Sequence, residues 1–353
     1  MNKEDTNICK AIAIFMMLVH HLFHSPGNYD TFTVIFAPLS SDKAVLIAEM
    51  CKICVSIFVF LTGYGYVRSK KQYDNRSDTL LCVKRYFRIM FGYWFIFIIS
   101  QILSFLGRSR IDVYGGGETG VLYEIIDFLG LAKLFGTPTY NPTWWYLTYA
   151  IMFVFLTPLL IKAVKKNGLS VIVLSILIPR VLGFNADTGA FRYLLPLVSG
   201  IYIAEYDVFE RISEKCNSIC IAVIWLLYTT GVLVLRANTE WYGIFDGLAA
   251  VGICYMVYQW IGKVRFINKL LEYIGRHSMN IFMSHTLIYL YFFKEFIYSF
   301  KYSFLIFIAL MLSSLLTSVV IEIIKKVLKY NTLEKVCIEK ATSILNNIEN
   351  KIA

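Results

Sequence analysis

Charge in this chain is confined to short clusters between long apolar runs, and that alternation constrains the fold more than any single motif does. The runs lie near residues 8–24, 44–67, 85–106, 144–162, 168–183, 191–205, 216–235, 242–261, 279–298 and 302–324. Most are of the length, about 20 residues, that lets one helix cross a hydrocarbon core about 30 Å thick. A chain that is 58% hydrophobic and 16% charged, with a mean hydropathy of +0.61, carries more apolar surface than a soluble core can use. The excess faces lipid. The fold expected is therefore all-α, a polytopic integral membrane protein of about ten transmembrane helices.

The formal net charge of +10 would suggest nucleic acid if the basic residues formed one soluble patch. They are dispersed among the loops, so no nucleic acid is expected. With the N-terminus inside the cell, the inner segments hold 24 of the 34 Lys and Arg, the outer segments hold 9, and Lys52 falls within a span. The short loops thus follow the positive-inside rule and place both termini in the cytoplasm. The expected organisation is a transmembrane domain over 1–325 and a short cytoplasmic tail over 326–353. Ile338, Ala341, Leu345, Ile348 and Ile352 recur there at the spacing of a helix lying on the inner membrane surface. The first run has no small-x-small cleavage site after it and is expected to stay as an anchor. The eight cysteines form no disulfide framework, and the Cys51/Cys54 pair reads as packing within a span.

Ionisable groups inside lipid are costly, which singles out the first run. It begins at Lys10 and ends in His20, His21 and His24, with only apolar residues from Ala11 to Val19. Eleven residues at 100° each bring Lys10 and His21 within about 20° of one stripe, and the rise separates them by about 16 Å. A cation near the inner face and an imidazole further out suit a reaction that spans the bilayer. The plainer alternatives are a snorkelling lysine and histidines that cap the outer helix end. A metal is a third reading, since His20 and His24 are i, i+4 neighbours. No cysteine or carboxylate stands at ligand spacing, so no metal is expected.

Lys84-Arg85-Tyr86-Phe87-Arg88 precedes the third run. Arg85 and Arg88 face one side, and a helix N-terminus close by would add free N–H groups to two guanidinium forks, a combination suited to a polyphosphate such as coenzyme A carries. An ordinary positive-inside anchor explains the pair equally well. Gly63 and Gly65 let helices approach closely. The outer segment 107–141 carries Gly115-Gly116-Gly117 and Glu118 and closes on Trp144-Trp145-Tyr146, an aromatic and partly acidic combination suited to sugar, although interfacial Trp and Tyr also anchor membranes. His285 in the ninth run reads, by itself, as a hydrogen-bonded interior residue. Lys52 and Asp246 are candidates for buried polar partners.

Taken together these residues resemble the acyltransferase family 3 membrane proteins, which include bacterial O-acetyltransferases of surface polysaccharides. The resemblance covers about residues 5–325. Where that family has an Arg, ten residues and a His in its first span, this chain has Lys10, ten residues and His21. Its Phe-x-x-Ser-Gly-aromatic segment is similar to Phe60-Leu61-Thr62-Gly63-Tyr64, and its Arg-x-x-Arg matches Arg85 to Arg88. Trp145-Tyr146-Leu147 followed by Pro158-Leu159-Leu160 resembles a further motif, and Ile274-Gly275-Arg276-His277-Ser278 with the later His285 resembles another.

The resemblance implies transfer of an acyl group, acetyl by expectation, from cytoplasmic acetyl-CoA to a hydroxyl of an extracytoplasmic carbohydrate. His21 is then the catalytic base or the bearer of an acyl group. Lys10, Arg85 and Arg88 hold the acyl-CoA, while Trp145, Tyr146, Glu118 and His285 bind the acceptor. Partners are acyl-CoA, a surface polysaccharide, glycan or glycolipid, and the bilayer of the cytoplasmic membrane, with room for a homo-oligomer. Some family members add an esterase-like domain after the last span. This chain ends in a short tail and is expected to act alone or to hand its acyl group to a separate partner. The rival reading is a carrier or flippase for lipid-linked sugars, in which the basic inner loops bind diphosphate and no bond is made.

Overall fold

A computed structural model describes residues 1–72, 77–184, 187, 189–215 and 219–352. Every long element among them is a helix, and the β-structure found there is one isolated bridge between Ile35 and Tyr302. Among the described residues six helical stretches are long and apolar enough to cross a membrane: Lys3–Phe23, Ser41–Gln72, Asp78–Leu106, Pro142–Asn167, Tyr242–Lys263 and Ser303–Val327. They coincide with six of the ten apolar runs.

The other four runs are helical too, three of them in shorter pieces. Ser170–Val181 and Leu194–Glu205 have 12 residues each. The seventh run appears as Ile219–Ala237, its first residues, 216–218, lying outside the described ones. The ninth runs as an α-helix over Ser278–Thr286, continues as a π-helix over Leu287–Phe292, and breaks at Phe293 before Lys294–Tyr298.

Contacts divide the chain into two compact units. The first comprises Met1–Asp30, Phe36–Asp74 and Leu156–Ser278, the second Thr31–Ile35, Asn75–Phe155 and Met279–Ala353. In the first unit the opening helix, Lys3–Phe23, starts at a capping box. The Asn2 side chain accepts from the Asp5 N–H, and the Asp5 carboxylate accepts from the Asn2 N–H, each at 2.8 Å. Acidic Glu4 and Asp5 sit in its first turn, where the helix dipole favours them. It packs against Arg265–Arg276, Cys54–Gln72 and Ser41–Met50.

The tightest seam of this unit joins Cys54–Gln72 to Leu194–Glu205. A Cβ on Gly63 would lie 2.5 Å from the Leu197 carbonyl oxygen, and one on Gly200 would lie 2.3 Å from that of Phe60. Each glycine thus admits the other helix's backbone, so Gly63 has the packing role that small residues play between membrane helices.

The second unit is built round an aromatic core. Tyr93 and Phe97 of Asp78–Ile102 meet Trp144 with ring centroids 4.9 and 5.8 Å apart, and Tyr140, Met283 and Ile321 complete the cluster. The tail is one long helix, Tyr330–Ile352, lying along Asp78–Ile102, where the Tyr330 hydroxyl donates to the Phe91 carbonyl at 3.0 Å. Ile338, Ala341 and Leu345 are half-buried. The side chains of Ile348 and Ile352 lie outside the described residues.

Candidate functional site

Lys10 and His21 both lie on the opening helix and both are half-buried. Towards its end the i, i+1 and i+4 positions bring His20, His21 and His24 together, with one ring nitrogen from each within 4.8 Å of the others. His20 and His24 stack at a centroid distance of 4.2 Å, and His21 stands edge-on to them at 5.0 and 6.0 Å.

Their tautomers follow from the backbone. Nδ1 of His20 is 2.9 Å from the Ala48 carbonyl oxygen, and Nδ1 of His24 is 2.7 Å from that of His20. A carbonyl only accepts, so both Nδ1 atoms carry hydrogen, and Nε2 is the basic nitrogen whenever these rings are neutral. Such an arrangement can move a proton, and the donor set can also take a borderline metal.

Below this cluster in sequence but in the same unit lies a buried ion triad. Asp246, with no exposed surface, accepts from Nε of Arg192 at 2.9 Å and from Nε of Arg236 at 2.5 Å, and it pairs with the Arg192 Nη2 as well. The two guanidinium carbons stand 5.0 and 5.2 Å from the centre of the Tyr242 ring. The expected partnership of Asp246 with Lys52 is therefore revised. The arginines form the ion pairs, because each presents a planar fork to the carboxylate, and Lys52 acts on the triad only electrostatically. Both arginines end or precede apolar runs, where the sequence reads them as ordinary outer-loop charges.

In the second unit Arg85 is half-buried and Arg88 exposed, both on Asp78–Ile102. The helix starts at Asp78, so Arg85 lies two turns, about 10 Å, beyond the first free N–H groups. This corrects the expectation that helix N-terminal amides assist the pair, since the basic segment continues a helix already begun. Arg88 and Lys325 act electrostatically on Glu334 of the tail helix, whose carboxyl is nevertheless held above its usual range, chiefly by burial.

Trp145 packs edge-on against Tyr146 and Tyr149, and Tyr146 meets Phe282 at 5.6 Å. Its neighbour Trp144 is the buried one, donating from Nε1 to the Met283 carbonyl at 3.0 Å. His285 is wholly buried, with Nδ1 2.9 Å from the Phe282 carbonyl and Nε2 3.1 Å from the Thr286 hydroxyl. The chain of hydroxyls runs on through Thr143 to Asn141, which caps the turn Pro142–Trp144. Glu118 is exposed in the first turn of Gly117–Phe128.

The residue that organises segment 107–141 is one the sequence does not distinguish, Asp127. It accepts from the Tyr114 hydroxyl at 2.6 Å, the Tyr140 N–H at 2.7 Å and the Thr139 hydroxyl at 3.0 Å. Burial raises its pKa above the usual carboxylate range, and these hydrogen bonds offset part of the rise. A cavity of about 560 Å³ opens in the same unit, lined by Phe32, Tyr291, Phe292, Lys294, Glu295 and Phe296 among others.

Long apolar helices that keep histidines, paired arginines and a buried ion triad among them define a multi-pass membrane protein with chemistry-bearing side chains inside its helices. The sequence matches the family model of the acyltransferase domain of acyltransferase family 3 over residues 4–323. The chain belongs to that family, and acyltransferase activity comes with membership. No curated protein and no solved structure matches it.

Proposed function

We propose that the protein moves an acetyl group from cytoplasmic acetyl-CoA to a hydroxyl of an extracytoplasmic carbohydrate, with His21 as general base. The observation that carries this reading is the histidine cluster on the opening helix of a chain that belongs to an acyltransferase family. The His21 imidazole takes the proton of the acceptor hydroxyl as its oxygen attacks the thioester carbonyl. Collapse of the tetrahedral intermediate expels the coenzyme A thiolate, which recovers the proton from the imidazolium, so the ester and the free thiol are the two products.

The stacked rings of His20 and His24 limit the rotamers open to His21 and fix which nitrogens surround it. Arg85 and Arg88 bind the coenzyme A phosphates, a task for which guanidinium forks are suited. Lys10 holds the pantetheine or phosphate region. Trp145, Tyr146, Glu118 and His285 serve the acceptor side. The protein works in the cytoplasmic membrane with ten spans and both termini inside, the other four helical runs completing the six long ones.

Mass spectrometry of surface glycans from cells with the wild-type protein, without it and with His21→Ala tests the reading. O-acetyl groups present only with the wild-type protein are expected. Equal acetylation in the His21→Ala strain rejects the base, and loss of the whole glycan without any ester chemistry points to a carrier.

A further inference from the structure

The buried ion triad of the first unit does not balance. Asp246 supplies one negative charge, and Arg192 and Arg236, only 6% and 5% exposed, supply two positive ones. Lys52 adds a third, since it acts electrostatically on Arg192, Arg236 and Asp246. Among the described residues its ammonium has no ion pair, and it is only half-buried. Asp246 occupies Nε and Nη2 of Arg192 and Nε of Arg236, which leaves Nη1 of Arg192 and both Nη of Arg236 without a partner among the described residues. Asp187 also acts on Arg192 but is itself paired with Arg180 at 3.1 Å, so three cations share the one carboxylate left to them, in a region where uncompensated charge is expensive and usually marks a site. Lys52 and Arg236 also act electrostatically on His20, so the excess charge lies close to the histidine cluster of the same unit. That field opposes a metal cation on the three histidines and favours an anion beside them.

Each contributor stands at the same end of its helix pair. Lys52 lies at the junction of Ser41–Met50 and Cys54–Gln72, and Arg192 just precedes Leu194–Glu205. Arg236 falls in the last turn of Ile219–Ala237, and Asp246 in the second turn of Tyr242–Gln259. In the topology proposed above Arg192, Arg236 and Asp246 stand at extracytoplasmic ends and Lys52 in the outer half of its span, the side from which the acceptor comes and acetyl-CoA does not. We infer that Lys52, Arg192 and Arg236 form a subsite for an anionic group on the acceptor, a sugar carboxylate or a phosphate ester, and that the preferred acceptor is an acidic glycan. Asp246 holds the two guanidinium forks in place and leaves their outer donors to the ligand. The word acceptor rests on the proposed transferase function, while the anion site itself does not.

The test is thermal unfolding of the full-length protein in detergent with glucuronate, glycerol phosphate or glucose, each against potassium chloride of equal ionic strength. A saturable rise in Tm is expected with at least one of the two anions and not with glucose. Response to glucuronate alone identifies a carboxylate ligand, and response to glycerol phosphate alone a phosphate ester. Lys52→Gln should weaken that response at least tenfold and Lys52→Arg should restore it, with unfolding in the absence of ligand showing that both variants fold. No shift beyond that of chloride, or an undiminished shift in Lys52→Gln, overturns the subsite. His21→Ala should keep the anion response, so a failure of the catalytic reading leaves a separate mark, ester formation that survives this substitution.

Discussion

His20 and His24 each commit one nitrogen to a backbone carbonyl, and their identity in the sequence is enough to find them but not to assign that geometry. The partner of His20 is Ala48, 28 residues away, which no spacing rule connects to it. Asp127 illustrates the same limit. It is one of several acidic residues in 107–141, and its importance comes from Tyr93, Tyr114 and Tyr140 closing over it.

Because its folded pKa lies above the unfolded value of 3.8, the carboxyl contributes stability that is fully present below that value and is lost as pH rises through the folded pKa. Asp127→Asn removes this dependence but turns an amide donor either towards the Tyr140 N–H and Tyr114 hydroxyl, which share one carboxylate oxygen, or towards the Thr139 hydroxyl on the other. It should cost about 1–3 kcal/mol. Tm measured from pH 4 to pH 7 should fall for the wild type relative to the variant, and a constant difference would show that the group does not titrate there.

The helices themselves were largely legible, because a run of about 20 apolar residues has few alternatives in lipid. All ten runs are helical where described, and among the described residues six meet both the length and the hydropathy of a span. What the pattern could not give was where a helix starts when polar residues are already helical, as at Asp78, or where one widens and breaks, as over Leu287–Phe292 and at Phe293. Backbone hydrogen bonding decides both, and hydropathy does not report it. The early start of Asp78–Ile102 places Arg85 and Arg88 on a regular helical face. Replacing both by Gln should therefore raise the KM for acetyl-CoA about tenfold or more while the acceptor KM stays within twofold, and equal weakening of both would count against a phosphate role.

The seam between Cys54–Gln72 and Leu194–Glu205 gives a stability prediction at the same level. Gly200→Ala drives a methyl group into the Phe60 carbonyl and should cost about 1–3 kcal/mol, whereas Gly231→Ala, with nothing within 4 Å, should leave the unfolding midpoint nearly unchanged. Comparable losses at both positions in a detergent unfolding series would contradict the close packing.

For the molecule entire, the two compact units each hold part of what the proposed reaction needs: the histidines and the proposed anion subsite in the first, the arginine pair and the aromatic segment 107–146 in the second. The sidedness on which the proposal depends is read from the distribution of Lys and Arg. A cysteine introduced as Glu118→Cys should react with an impermeant maleimide on intact cells, and the half-buried Cys337 of the tail only after permeabilisation. The reverse pattern would invert the topology and with it the direction of transfer.

Sealed inverted vesicles can be supplied on their outer, cytoplasmic face with acetyl-labelled acetyl-CoA. Label should accumulate in ester linkage on luminal glycan, and His21→Ala should reduce the rate at least about a hundredfold. Luminal ester formed at the wild-type rate without the His21 imidazole would contradict the account.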